Sequence, residues 1–257
     1  MHQRTHHSSS APSSVTSSTI FFVHRHSNTR KGLMNRVYHL VRRFMLGRKA
    51  SLVVRTSKLK KGTMLDYGTG TGYFADAMKR RSWTVKAIEK SPSAREFAKK
   101  HFGLEVEAEG ALKTYKDGSM DVVTLWHVME HLEDLNGMWQ TFHRILKLQG
   151  VLIVAVPNPD SYDARKYGEW WAAYDVPRHL WHFTPSVMQQ FGVRHGFILE
   201  ERYPMPMDAF YVSMLTEKYK GSRMSFVKGL WTGTCAWLHS LGKKERSSSM
   251  IYVFRKK

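Results

Sequence analysis

The run Asp66-Tyr67-Gly68-Thr69-Gly70-Thr71-Gly72 sets three glycines at alternate positions directly behind an acid. Glycine-rich turns after the first strand of an α/β sheet let the backbone approach a nucleotide closely, at the carboxyl ends of the strands. A dinucleotide fingerprint would place its third glycine at position 73, which is Tyr. A second acid, Glu89, stands 23 residues beyond Asp66 at the end of an apolar run. Its two carboxylate oxygens can accept hydrogen bonds from both hydroxyls of a ribose. The competing view is that Asp66 caps the turn, Glu89 is merely exposed and the glycines only shape a loop.

Further along, His127, Glu130 and His131 are spaced i, i+3, i+4. That spacing puts all three on one face if the segment is helical. A histidine with a near-neutral pKa suits the removal of a proton. Alternatively, His127 packs against a bound ligand while Glu130 and His131 only begin a helix. The stretch from Ser161 to Phe183 gathers Tyr162, Tyr167, Trp170, Trp171, Tyr174 and Trp181 around Arg178, His179 and His182. Aromatic walls with a few polar groups suit a planar or greasy ligand. Such a lid would offer Trp171, Tyr174, Arg178, His179 and His182 to the substrate, with Arg178 paired to an anionic group. The same residues would serve equally as a hydrophobic cover over a sheet.

The elements that must position these residues alternate strand and helix from residue 63 onward. Thr63 to Tyr67 is an apolar strand leading into the turn, and Phe74, Ala77 and Met78 mark the helix after it. Thr84 to Ile88 is a second strand. Ser91-Pro92 supplies an N-cap and a first-turn proline for a helix that Gly103 ends. Leu104 to Val106 is expected as a short third strand and Asp121 to Trp126 as a fourth. Leu135, Met138, Trp139, Phe142, Ile145 and Leu146 share one face of the next helix, which Gly150 closes. Val151 to Val156 is apolar throughout, as the centre of a parallel sheet requires. After the aromatic insertion, Thr184-Pro185 opens a helix ending near Gly196, and Phe197 to Glu201 resumes as a strand. Residues 203 to 249 form a second irregular insertion before a last strand, Ile251 to Phe254. This rhythm implies right-handed crossovers and a doubly wound α/β sheet.

The motifs resemble those of class I S-adenosylmethionine-dependent methyltransferases. Met64 to Phe74 is similar to motif I of that family, and Ala87-Ile88-Glu89 to its acidic ribose-binding motif. Asp117 to Val123 and Trp126 to His131 resemble the fourth-strand region of the branch that contains the ubiquinone-pathway O-methyltransferases. Leu146 to Leu152 is similar to that branch's entry into strand five, and the block from Trp171 to Pro185 to one found in a bacterial subgroup. The resemblance implies a Rossmann-like, doubly wound, seven-stranded α/β sheet with aromatic-rich insertions after strands five and six. It implies S-adenosylmethionine as cofactor, held by Asp66, Gly68, Thr69, Gly70 and Gly72 at its methionyl end and by Glu89 at its ribose. Ala111 falls at the adenine contact, with Glu109 one residue before the position where the family often carries an acid, and Trp126 ends the strand beside the cofactor. The expected chemistry is displacement with inversion at the methyl, onto an oxygen of a small-molecule or lipid-linked acceptor, with His127 or His131 as base and Glu130 beside them. Related quinone-pathway enzymes carry Glu-x-x-Glu-His here, associated with a divalent metal. His127 replaces the first Glu, which makes a hard oxygen site more nitrogen-rich, and no metal is expected.

The chain has 257 residues, 42% of them apolar, enough for one good core. The expected division is a basic disordered tail over residues 1–30, an amphipathic helical segment over 31–62 and the methyltransferase domain over 63–257. In the second segment Leu33, Met34, Val37, Leu40, Val41, Phe44 and Met45 form one apolar stripe, expected to pack on the domain beside it. The single cysteine, Cys235, excludes a disulfide framework and suits a cytoplasmic protein. No secretory signal is evident. Met224 to Leu241 is interrupted by Lys228, Gly229, Gly233 and His239 and would span a membrane poorly. Of the net charge of +19, thirteen basic residues and no acid precede Asp66, and ten basic residues against Glu245 alone follow Glu217. Such flanks attract phosphate-bearing surfaces. Nucleic acid and an anionic membrane surface are therefore both open as partners, with peripheral membrane placement. So are an RNA methyltransferase using these flanks and a non-catalytic S-adenosylmethionine-binding protein; a solvated basic face without a partner is the plainer account. Oligomeric state is not legible.

Overall fold

Val151 to Val156 is apolar at every position, so a strand made of it must be covered on both faces. A computed structural model, which describes residues 33–257, places it at the buried middle of a strand from Leu146 to Pro157. The expected tail over residues 1–30 and the first two residues of the 31–62 segment lie outside the described residues. The described chain runs α1 (Leu33–Ser57), β1 (Thr63–Tyr67), α2 (Tyr73–Lys79), β2 (Thr84–Ile88), α3 (Pro92–Phe102), β3 (Met120–Trp126), α4 (Leu135–Ile145), β4 (Leu146–Pro157) and α5 (Tyr162–Tyr167). It continues through α6 (Pro185–Arg194), β5 (Phe197–Pro204), α7 (Asp208–Tyr219), α8 (Ser225–Gly242) and β6 (Ser249–Lys256).

One mixed sheet of six strands results, in the order β2-β1-β3-β4-β6-β5. The first four strands are parallel, and β6 runs antiparallel between β4 and β5. The expected strand at Leu104 to Val106 does not form. A single parallel bridge between Ile88 and Glu107 stands in its place. Charged Glu105 and Glu107 alternate with only two apolar residues at this sheet edge, and the chain turns into a 3-10 segment at Glu109.

At α3 the sequence signals act as expected, whereas α4 ends at Ile145 and not at Gly150, because Leu146 and Gly150 already belong to β4. The Ser91 hydroxyl accepts from the Ala94 N–H, Pro92 begins α3, and Gly103 closes it in the left-handed region. Trp139, Phe142 and Ile145 of α4 are fully buried on one face of the sheet with Leu152, Val154 and Phe254. On the other face Ala50, Leu52 and Val53 of α1 pack with Met64, Phe74, Met78 and Ile153. The packing stripe of α1 is therefore its second half. Leu40, Val41 and Phe44, expected to be covered, are exposed; among the described side chains the helix packs on the sheet from about Leu46 onward.

Candidate active site

Three strand ends meet at the glycine-rich turn. Gly68 and Thr69 donate their backbone N–H groups to the carbonyl of Ile88, which locks the turn after β1 to the end of β2. Gly68, Gly70 and Gly72 all have positive φ, the region that disfavours a Cβ. A Cβ on Gly68 would lie 2.4 Å from the Val128 side chain. The chain can thus bend tightly only with glycine here.

Glu89 is bound into this bend. One carboxylate oxygen accepts the Gly70 N–H at 2.8 Å and the other accepts the Ser91 N–H at 2.9 Å. Each oxygen keeps a further lone pair for a hydroxyl donor. Below the turn, Asp66 is buried and accepts the hydroxyls of Thr69 at 2.6 Å and Thr124 at 2.7 Å. Burial raises its pKa to about 6, against the lowering effect of the two hydroxyls and of Lys49.

Lys49 and Asp208 were not legible as site residues. Lys49 reaches from α1 to place its ammonium 4.3 Å from the centre of the Trp126 ring. Burial pulls its pKa down, and the charges of Asp208 and Asp66 offset part of that shift. The indole N–H of Trp126 is buried without a hydrogen-bond acceptor among the described residues. Asp208 opens α7 and lies 3.2 Å from Nε2 of His127. In sequence Lys49 is one basic residue among many on its helix, and Asp208 falls in an insertion without a family motif.

His127 follows β3 in the left-handed region, its N–H donated to Ala155. Its Nδ1 lies 3.5 Å from Glu130, so the ring sits between two carboxylates. Burial lowers its pKa, but the acceptors and negative charges of Asp208 and Glu130 outweigh that and raise it to about 9. At neutral pH the ring is a cation. The same contacts hold Asp208 ionised; its pKa is lowered by His127 despite burial.

Glu130 and His131 belong to a 3-10 turn, Met129–His131, and not to a longer helix. Glu130 is buried, with no aligned donor to either carboxylate oxygen among the described residues. His131 and His179 meet edge to face, ring centres 4.7 Å apart. The Nδ1 of His131 pairs with the Arg178 carbonyl and that of His179 with the Ala173 carbonyl. Nε2 of His179 lies 3.8 Å from Oδ2 of Asp175. Burial lowers the His179 pKa, which keeps the ring neutral. Donor atoms of Glu130, His131 and His179 all lie within 4.8 Å of one another. The sequence offered two donors here after the His127 replacement, and the fold adds His179 as a third from the insertion. The set has the donor types to hold a divalent cation.

The remaining candidates divide. Trp171 is fully buried beside Ala164 and Tyr167, its indole N–H bonded to Asp163 at 2.8 Å, so it packs the insertion and presents no face to a ligand. Arg178 is exposed and bound to Asp175 at 2.5 Å, so an anionic ligand would have to displace that acid. Tyr174 lies between Trp171 and His182, and its carbonyl pairs with Nε2 of His182. Ala111 sits in the 3-10 segment Glu109–Thr114, and Glu109 interacts with the Tyr67 hydroxyl at the end of β1.

A family model described as a methyltransferase domain matches residues 41–201. The ubiquinone biosynthesis O-methyltransferase of Xanthomonas oryzae pv. oryzae is 29% identical over 134 residues, covering 48% of this chain and 56% of that protein. The mitochondrial ubiquinone biosynthesis O-methyltransferase of Schizosaccharomyces pombe is 34% identical over 101 residues, 36% of each chain. The chain thus spans about half the length of the first of these relatives, or less. Among solved structures, geranyl diphosphate C-methyltransferase from Streptomyces coelicolor A3(2), bound to S-adenosyl-L-homocysteine, superimposes with a TM-score of 0.53 at 13% identity. That match covers 82% of this chain and 80% of the other.

Proposed function

This chain belongs to the methyltransferase-domain family, and on that premise we propose that it moves the methyl group of S-adenosylmethionine to a small-molecule or lipid-linked acceptor, at oxygen. The observation that carries the cofactor assignment is Glu89, bonded to Gly70 within a bend that only glycines can make. The cofactor fits the charges around it. Its amino-acid end bears both an ammonium and a carboxylate; buried Asp66 suits the first, and Lys49 beside the unpartnered Trp126 N–H suits the second.

The cofactor supplies an electrophilic methyl on a sulfonium. An acceptor oxygen attacking that methyl would displace the sulfide and release a proton, which a base of this chain would have to take. A ring already protonated at neutral pH cannot take that proton, and both of its N–H groups face carboxylates, so His127 acts as a cation that holds Asp208 and Glu130 in position at the site. The proton passes to His179, whose ring burial keeps neutral, beside His131 and Glu130. Positioning of the acceptor supplies much of the rate.

Incubation of the protein with tritiated S-adenosylmethionine and cell extract, separated into lipid, small-molecule, RNA and protein fractions, tests the assignment. Label in the lipid or small-molecule fraction is expected. Label in RNA would favour the reading that uses the basic flanks, and cofactor binding without label anywhere would leave a non-catalytic binding protein.

A further inference from the structure

The helix α8 (Ser225–Gly242) is built inside out. Its buried residues are Gly229, Thr232, Gly233, Ala236 and Ser240. Gly229 and Gly233 press so closely on α7 that an added Cβ would lie 2.5 Å from Met214 and 2.8 Å from Phe210. Its large apolar residues face the other way: Phe226, Val227, Leu230, Trp231, Trp237, Leu238 and Leu241 are all exposed, Trp231 by 68%. At 3.6 residues per turn these seven side chains fall within one arc of about 140° along a helix about 27 Å long. Isolated exposed apolar residues are ordinary, but a contiguous patch marks an interaction surface.

Charge narrows the choice of partner. Arg223, Lys228, Lys243 and Lys244 are exposed at the ends and flank of this arc, within a segment of ten basic residues and one acid. A second copy would bring the same positive charge against it. Nucleic acid would meet leucine, valine and phenylalanine where it offers phosphate. An anionic bilayer satisfies both features, since it takes apolar side chains at the acyl boundary and cations at its headgroups. Among the described residues no helix is long and apolar enough to cross a membrane, so α8 would lie in the surface plane. We propose that α8 docks the protein on an anionic lipid surface through Phe226, Leu230, Trp231, Trp237, Leu238 and Leu241.

The docking helix is joined to the candidate site. It packs along α7, whose first residue Asp208 holds His127, and it meets α5 through Tyr162 stacked on His239 and Lys166 bonded to Thr232. This extends the lipid-linked branch of the functional reading by bringing the acceptor side near the bilayer, though the docking itself does not depend on catalysis.

The 257-residue chain is sedimented with vesicles of phosphatidylcholine alone and of phosphatidylcholine with phosphatidylglycerol. Binding is expected to the second, weakening as salt rises. The double variant Trp231→Glu/Leu238→Glu, altered only at exposed positions, should lose at least about tenfold in vesicle affinity with melting temperature and S-adenosylmethionine affinity unchanged. Lys228→Gln/Lys243→Gln/Lys244→Gln should lose the preference for phosphatidylglycerol. Absence of vesicle binding by the unaltered protein overturns the proposal. So does full binding by the double variant, which would assign attraction to other basic segments, or a dimer in light scattering that the double variant dissociates. Cofactor affinity, measured on the same samples, reports separately on the enzymatic reading.

Discussion

Nε2 of His127 lies 3.2 Å from Oδ2 of Asp208, so the strand end after β3 is tied to the first residue of α7, 81 positions further along the chain. That tie makes His127 a cation between two acids, where its sequence position suggested a neutral base. It also brings the second insertion into the site.

Asp208→Asn should lower the His127 pKa from about 9 by removing the larger of its two carboxylate partners. His127→Ala removes the cation outright. Both should reduce kcat by about tenfold or more, within the range general acid–base and orienting groups contribute, and leave the Kd for S-adenosylmethionine within about threefold. Steady-state kinetics beside calorimetry separates the two quantities. Unchanged turnover in both variants would make the pair a packing feature.

Gly70 and Glu89 are predicted to fail together. Gly70→Val forces a branched side chain into φ of +57°, at about 1–2 kcal/mol, and crowds the bend. Glu89→Gln keeps an acceptor for one backbone N–H and loses the charge. Each should weaken S-adenosylmethionine binding by about tenfold or more while circular dichroism stays native. Micromolar binding retained in Gly70→Val would contradict the placement of the cofactor.

Much of this architecture is local in origin, which is why it is legible in the sequence. Ser91-Pro92 and Gly103 bound α3 by backbone geometry within a few residues, and the all-apolar Val151 to Val156 can only be a central strand. Glu89 is found from its distance to Asp66 because a single crossover separates them. What escapes is long-range. Lys49 and Asp208 acquire meaning only when α1 and α7 fold against β3. The third strand shrinks to one bridge at Glu107 because edge pairing depends on what lies beside it. Leu40 and Phe44 carry the helical period of a packing face, but periodicity does not say where a helix first touches the sheet.

Asp66 links stability to pH. Its folded pKa of about 6 exceeds its ordinary 3.8, so its protonated form is favoured in the fold. Its contribution is fully present below about pH 3.8 and is lost as pH rises through 6, reaching a penalty of about 3 kcal/mol above that. Asp66→Asn should therefore raise the melting temperature of the cofactor-free protein at pH 8 and change it little at pH 4. Because the cofactor's ammonium favours the ionised acid, unaltered protein should bind S-adenosylmethionine more tightly at pH 8 than at pH 5. Equal melting temperatures at pH 8 would place Asp66 outside this linkage.

Turnover should not need Mg2+ or Ca2+, since Glu130 is the only carboxylate among the three clustered donors and hard cations prefer oxygen. The comparison is kcat before and after dialysis against EDTA. A loss restored by one added metal would recast Glu130, His131 and His179 as its holders.

Lys49→Met tests the role of α1 in the site. Methionine keeps much of the apolar stem against Trp126 and removes the ammonium that faces Asp66 and Asp208. If Lys49 holds the cofactor carboxylate, the variant should bind S-adenosylmethionine about tenfold more weakly or worse, a loss of about 1.4 kcal/mol. An analogue lacking that carboxylate should bind the variant and the unaltered protein alike. Such a paired result depends on where the missing charge acts, which a general loosening of α1 would not reproduce. Equal weakening toward both ligands would return Lys49 to a structural counterion for the two buried acids.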